Sequence, residues 1–440
     1  MRSGRSGAGV AAVGFVTAGL AGLLGMTGAA HAAGFALREG TSDSMGNAFA
    51  GGSAKAYDAG TTYTNPAGMV RLNWNEIDAG LNILAPSSEF RGQNFVGPGV
   101  VTLGSQGGNV TPPAITGSTF GVWSYSPDLK FGLAVTEPFG ERVANPGDFV
   151  GRYQSLVSAI TDVSVSLSAA YKFDEHFSIG GGPVIDYFRA RLTQAINIGP
   201  ASALTGDPVG DVHGDDVSAG FNIGALYQFN DHLRIGVDYR SRIDHEINGS
   251  QTVFVPGLLA LASPSTAALL SAQNTGVRTK ITLPDSVTFG VYWQIDPQWA
   301  VMADVQWTEW SLIQAINITP SNPLLPGSTL QENWHDTWFA SVGANYRVTD
   351  KLTLQGGFAF DESPVTDANR TTRLPDGNRY ELAVGVQYAV LPNVTLQAAY
   401  LHGFVGDVSI NNAASATSGV IRGHYSDSVN TWSLGAAVRF

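Results

Sequence analysis

The chain has 440 residues, 53 of them glycine, with no cysteine and only 14% charged residues. The missing cysteines exclude disulfide scaffolds, thiolate zinc sites, iron–sulfur clusters and a cysteine nucleophile, and a net charge of -12 leaves no basic face for nucleic acid. A mean hydropathy of +0.04 argues against a bundle of membrane helices, but not against a transmembrane β-barrel, whose apolar and polar residues alternate and average out.

Arg2 and Arg5 precede an apolar stretch from Val10 to Leu24, and Ala30-His31-Ala32 sets small residues at the two positions a signal peptidase reads. Residues 1–32 therefore read as a secretory signal peptide cleaved before Ala33. Residues 33–75 do not alternate and are rich in small side chains. Their end carries Asn65-Pro66-Ala67, where proline holds Asn65 extended or in a turn. This segment reads as a folded N-terminal hatch in a barrel lumen; a disordered periplasmic tail is the alternative.

Residues 76–440 read as one barrel. Early in it, Leu133-Ala134-Val135-Thr136-Glu137-Pro138-Phe139-Gly140 contains a proline that cannot donate to a ladder, next to a phenylalanine and a glycine. Pro138 marks either a bend in a wall strand or the point where the strand leaves the membrane. Val163, Val165, Leu167, Ala169 and Tyr171 then alternate with Asp162, Ser164, Ser166, Ser168 and Ala170. Such a segment reaches the ~9–11 residues needed to cross a bilayer at a tilt. Arg189 and Arg191 share one face after Tyr187-Phe188 and are candidate partners for a ligand carboxylate, as is Arg379 beside a later strand. Asp207, Asp211, Asp215 and Asp216 lack the order of a calcium loop and read as a solvated acidic loop.

A long connection after residue 247 holds an apolar run interrupted by Pro256 and Pro264. Its Leu258, Leu259, Leu261, Leu269 and Leu270 form either a capture groove for a hydrophobic molecule or the packing that seats the loop on the barrel rim. Tyr380, Leu382, Val384, Val386 and Tyr388 repeat the alternation, and the last ten residues put Trp432, Leu434, Ala436, Val438 and Phe440 on one face, with Thr431, Ser433 and Arg439 on the other.

Six tight turns fall at Pro127-Asp128, Asp174-Glu175-His176, Asn230-Asp231-His232, Asp296-Pro297, Thr349-Asp350-Lys351 and Leu391-Pro392-Asn393. Seven long connections separate them, at 87–113, 137–155, 197–216, 247–280, 318–333, 362–377 and 405–424. With both chain ends on the periplasmic side, this predicts an all-β fold: a 14-stranded antiparallel transmembrane barrel. So wide a lumen must hold water or a plug. Of the histidines beyond the signal, His213, His245, His335, His402 and His424 accompany no nucleophile motif or HExxH pattern, so no enzyme and no cofactor or metal is expected.

Ala33-Gly34-Phe35, Tyr57-Asp58-Ala59-Gly60 and Asn65-Pro66-Ala67 resemble the hatch of the FadL family of outer-membrane long-chain fatty-acid transporters. Gly151-Arg152-Tyr153, Tyr239-Arg240-Ser241, Leu283-Pro284-Asp285, Trp307-Thr308-Glu309-Trp310-Ser311 and the stretch from Phe360 to Arg379 extend the resemblance in order across the mature chain. The resemblance implies a barrel with an N-terminal hatch, including Phe35, Asn65, Pro66 and Ala67. It also implies passive uptake of long-chain fatty acids or other hydrophobic small molecules. Outer loops would capture the substrate, a lumenal pocket would receive it, and a side opening would release it where Pro138, Phe139 and Gly140 kink the third strand. Aromatic or alkane hydrocarbons are the alternative substrates, and a nonselective porin is disfavoured by the hatch. The expected surroundings are outer-membrane lipid and lipopolysaccharide, with the protein a monomer.

Overall fold

The computed structural model describes residues 33–97, 100–415 and 418–440; the signal peptide read at 1–32 lies outside the described residues. Among the described residues, no helix is long and apolar enough to cross a membrane, and the strands close into an antiparallel barrel of 14. The first seven are β1 (Glu76–Gly97), β2 (Ala114–Ser124), β3 (Leu129–Thr136, resuming as Gly140–Ala144), β4 (Val157–Lys172), β5 (Phe177–Ala195), β6 (Val209–Gln228) and β7 (Leu233–Arg240, resuming as Ile243–Phe254). The second seven are β8 (Thr275–Leu283, resuming as Ser286–Gln294), β9 (Trp299–Thr308, resuming as Ala315–Pro320), β10 (Thr337–Arg347), β11 (Leu352–Asp361), β12 (Arg379–Leu391), β13 (Val394–Ser415) and β14 (Gly419–Arg439). Each strand pairs with its sequence neighbour, and β14 returns to β1 in register from Glu76↔Arg439 to Phe95↔Val420.

The period of two sorts the side chains as a membrane requires. Leu434 is 63% exposed and its neighbour Ser433 1%; likewise Tyr380, Leu382 and Val384 face out while Arg379, Glu381 and Ala383 are buried. An exposed apolar face meets lipid acyl chains at no cost, whereas the polar face finds partners only in the lumen.

All six tight turns fall where they are predicted, five wholly between strands and the sixth with its Leu391 closing β12. Several long connections are shorter than expected. The stretch 405–424 is mostly the paired upper part of β13 and β14, whose ladder continues to Ser415↔Gly419, and β1 takes the first half of 87–113. Above the bilayer a strand no longer needs an apolar outer face, so its ladder persists after its sequence alternation has gone.

Residues 33–75 lie against the inner faces of these strands. Helix α1 (Ser42–Gly46) starts where Thr41 Oγ1 accepts the Ser44 N–H at 3.0 Å, and α2 (Thr61–Thr64) leads into a 3-10 turn at Pro66–Arg71. Their contacts run around much of the ring: Ser42 with Ser433 of β14 at 2.6 Å, Asn47 with Asn345 of β10 at 2.8 Å, Ser53 with Asp304 of β9 at 2.8 Å, and Ser178 of β5 with the Ala67 carbonyl at 3.0 Å. Asn65 is extended, as the following proline requires. Its amide donates to the Ser53 carbonyl at 2.7 Å and to the Ala225 carbonyl of β6 at 3.1 Å, while its side-chain oxygen accepts from Ala67 N–H at 3.1 Å. Wall glycines permit this closeness. A Cβ at Gly224 would lie 2.1 Å from Asn65 Oδ1, and one at Gly236 1.8 Å from the Ser53 carbonyl oxygen.

Candidate functional site

The wall is incomplete between β2 and β3. Their pairing ends at Thr119↔Val135, and after the break at Glu137-Pro138-Phe139 the resumed part of β3 pairs only with β4, from Gly140↔Thr161 to Ala144↔Val157. Pro138 offers no N–H, so the ladder cannot run through it. The chain's own N-terminal segment closes the gap from inside: Leu37 N–H donates to the Pro138 carbonyl at 2.7 Å, and Gly140 N–H to the Phe35 carbonyl at 2.8 Å.

Phe35 sits in an aromatic cage. Its ring centroid lies 5.0 Å from Trp310, 5.6 Å from Trp334 and 5.7 Å from Phe139, the Trp310 and Phe139 pairs edge to face. All four belong to, or pack against, one lumenal cluster with Ile243, Ile281, Ile313, Val365 and Leu374. Phe139 therefore points into the lumen, so the break in β3 is an inward kink within the wall.

Beside this cage is a cavity of about 150 Å3. Pro138, Phe139 and Trp310 form its apolar side, and Arg38 and Arg240 its cationic side. Arg38 donates to Asp361 of β11 at 3.2 Å and to Gln306, and lies 3.8 Å over the Phe339 ring. Arg240 lies 4.1 Å over Tyr63 and donates to the Tyr63 carbonyl at 2.9 Å. The cavity can thus take a small apolar body and meet an anionic end.

The residues singled out from sequence are not brought to one place. Arg189 and Arg191 share the outward parity of the exposed Ile185, and Arg191 is committed to Asp211 at 2.6 Å. Arg379 is inward and buried, paired at 3.0 Å with Asp376. The loop leucines divide between α3 (Gly257–Ala262) and α4 (Pro264–Ser271). Leu259 and Leu270 pack with Val253, while Leu258, Leu261 and Leu269 remain 63%, 82% and 71% exposed. In the acidic loop, Asp207 is held by Arg152 at 2.7 Å and by the Tyr153 hydroxyl at 3.0 Å, and no cluster of three or more metal-ligating side chains occurs among the described residues.

Arg38, Arg240, Trp310 and Trp334 were not singled out as site residues. Arg240 and Trp310 fall within stretches that carry the resemblance but were given no role, and Arg38 follows the apolar Phe35-Ala36-Leu37 without a local signal of its own. The two tryptophans lie beyond the alternating part of β9 and β10, where period no longer tells inside from outside.

Residues 23–440 match the model of the outer membrane protein transport protein family (OMPP1/FadL/TodX). The chain is 27% identical over 394 residues to the long-chain fatty acid transport protein of Salmonella typhi, covering 85% of this chain and 88% of that one. Its fold is that of a Pseudomonas aeruginosa FadL homologue, with a TM-score of 0.84, 23% identity and coverage of 93% and 100%. It also resembles the Ralstonia pickettii toluene transporter TbuX, with a TM-score of 0.67, 18% identity and coverage of 91% and 99%.

Proposed function

The chain belongs to the OMPP1/FadL/TodX family of outer-membrane transport proteins, and from that membership we propose that it admits hydrophobic molecules by passive diffusion, with long-chain fatty acids as the substrate class. The observation that carries this reading is the gap between β2 and β3, closed from within by residues 35–37 and lined by apolar rings.

A hydrophobe at the cell surface first needs an exposed apolar surface, and Leu258, Leu261 and Leu269 provide one at the outer loops. Inside, the hatch residues, Asn65, Pro66 and Ala67 among them, block a straight aqueous path. The molecule therefore displaces Phe35 from its cage and occupies the adjoining cavity. It then leaves sideways at Pro138-Phe139-Gly140 into the bilayer, where apolar surface costs nothing. Similarity to the Salmonella protein and the guanidinium groups of Arg38 and Arg240 support a carboxylate-bearing substrate.

Monoaromatic hydrocarbons are the second reading. They are favoured by the cavity's volume of about 150 Å3, a size that accommodates one aromatic ring, and by the likeness to the toluene transporter.

The test uses the absence of native cysteine. Cysteines replacing Gly117 of β2 and Glu137, whose carboxylate faces the Gly117 N–H, are cross-linked across the gap. Uptake of labelled oleate and of toluene by a host lacking its own transporter is then compared before and after reduction. Uptake that survives the cross-link refutes exit through this gap.

A further inference from the structure

Above the apolar band, one flank of the barrel's outer surface is cationic. The ladder sets Arg189 of β5 opposite Asp215 of β6, Asp215 opposite Asn248 of β7, and Asn248 opposite Arg278 of β8, so the four stand in one row across four strands. All four are exposed. Their parity is outward: Ile185 and Val217 on the same faces are exposed, whereas the alternate positions Phe188, Ile247 and Val277 are buried. Arg191 and Lys280 flank the row, each beside one acid, Asp211 at 2.6 Å and Glu246 at 3.1 Å. On the outer half of β10 to β13 and in the loop between β11 and β12, by contrast, no Lys or Arg faces out among the described residues, because Arg370, Arg373 and Arg379 are buried.

The strands of a barrel lean about 35–45° from its axis, so a row drawn across them climbs. Arg189 stands close above the exposed apolar Ile185, whereas on β8 the residues from Lys280 to Asp285 separate Arg278 from Val287, the next exposed apolar side chain. The two guanidinium-bearing positions are thus about 14 Å apart, three inter-strand steps, and lie at different depths. A phospholipid brings its charge to one depth. Lipopolysaccharide, the lipid of the outer leaflet, carries phosphates on a disaccharide seated at its acyl chains and acidic sugars above it.

We propose that this flank of β5 to β8 binds lipopolysaccharide, with Arg189 on a phosphate of the lipid A disaccharide, Arg278 on the acidic inner-core sugars, and Ile185 and Val217 against the acyl chains. A guanidinium meets phosphate or carboxylate through two parallel hydrogen bonds. Asp215 and Asn248, between the two cations, accept from and donate to sugar hydroxyls. The exposed pair of Lys280 and Glu246 is weak enough to open to a competing phosphate. This site lies on the outer wall and does not depend on what crosses the lumen.

The test is competition for the full mature protein in detergent, read by native mass spectrometry, among phosphatidylglycerol, diphosphorylated lipid A, and lipid A bearing its acidic inner-core sugars. Wild type retains the inner-core form about tenfold more tightly than phosphatidylglycerol. Arg189→Gln weakens lipid A and the inner-core form alike, whereas Arg278→Gln weakens only the inner-core form and removes its margin over lipid A. Both side chains are exposed, so an unchanged melting curve confirms that each variant folds. Equal affinity of wild type for the inner-core form and phosphatidylglycerol overturns the assignment, leaving only a general attraction for anionic lipid. An Arg278→Gln variant that weakens lipid A equally, or no effect of either substitution, overturns it too. Arg91→Gln combined with Arg422→Gln, exposed on β1 and β14, leaves all three affinities in place; a loss matching that of Arg189→Gln counts against a site on this flank.

Discussion

Asp376 Oδ2 accepts the Gly34 N–H at 2.8 Å, tying the start of the hatch to the loop above β12, while Oδ1 of the same carboxylate pairs with Arg379 at 3.0 Å. Ser363 Oγ donates to it as well, at 2.6 Å. One buried carboxylate thus fixes both the N-terminal segment and the base of an outer loop. Replacing Asp376 by Ala removes the carboxylate that Arg379 holds at 3.0 Å and releases the Gly34 N–H. Breaking a buried pair of this kind costs about 3–5 kcal/mol, so thermal unfolding of the variant falls well below wild type, and protease cleaves first near residue 34.

Phe35→Ala acts more locally. The cage of Trp310, Trp334 and Phe139 loses its central ring, and deleting a buried phenylalanine costs about 3–5 kcal/mol of packing. Part of that loss appears as easier opening of the bonds that residues 35–37 make across the kink. Amide exchange at Leu37 and Gly140 is expected to accelerate by tenfold or more, with the β1–β14 ladder unchanged. Equal protection at both amides would mean that the ring does not hold the gap shut.

Wall glycines separate close approach from mere smallness. Gly236→Ala drives a methyl group to 1.8 Å from the Ser53 carbonyl, whereas at Gly356 the nearest atom to such a methyl is 3.9 Å away. The first substitution should destabilise by about 1–3 kcal/mol or more through overpacking, and the second should be nearly neutral. Paired melting curves check the contrast.

The loop leucines supply a further test. Leu258, Leu261 and Leu269 replaced together by Ser should lower hydrophobe uptake several-fold at low substrate concentration and leave barrel melting unaltered, because these side chains are exposed. Leu259 and Leu270 replaced by Ser should instead loosen α3 and α4 from Val253. Identical uptake by wild type and the triple variant would remove the outer loop from the route.

Stability responds to pH through one buried carboxyl of the outer loops. Burial pushes the Glu332 carboxyl up to about 7 from its ordinary 4.5. Since the folded-state value is raised, the stability tied to this group is fully present below pH 4.5 and is lost as pH rises through 7. Protonation also removes a negative charge that faces Arg373. The melting temperature should therefore rise as pH falls from about 8 to about 6. Glu332→Gln should flatten that slope, as read by differential scanning calorimetry.

The barrel was largely legible because lipid imposes a period of two on every crossing: Trp432 to Phe440 and Tyr380 to Tyr388 show it residue by residue. The turns were legible through Pro, Asp and Asn at short spacing. The top of β13, residues 405–415, was not, since outside the bilayer a ladder carries no compositional demand, and Gly406, Asp407, Asn411 and Asn412 read as loop. Arg191 illustrates the limit at the site: its parity was readable, but which parity faces inward depends on the neighbouring Asp186 and Phe188 being buried. Arg38 comes to its cavity through the path of the hatch, which is not written in a local pattern.

The seam between β1 and β14 has a consequence for assembly. Arg439 Nε donates to Glu76 Oε2 at 2.8 Å across 363 positions of sequence, so the cylinder stays open until its final strand arrives. The hatch emerges first and bonds to strands from β5 to β14 on the inside. Contacts so distant in sequence make closure slow, so the last ladder to form is the one that joins the first strand to the final one.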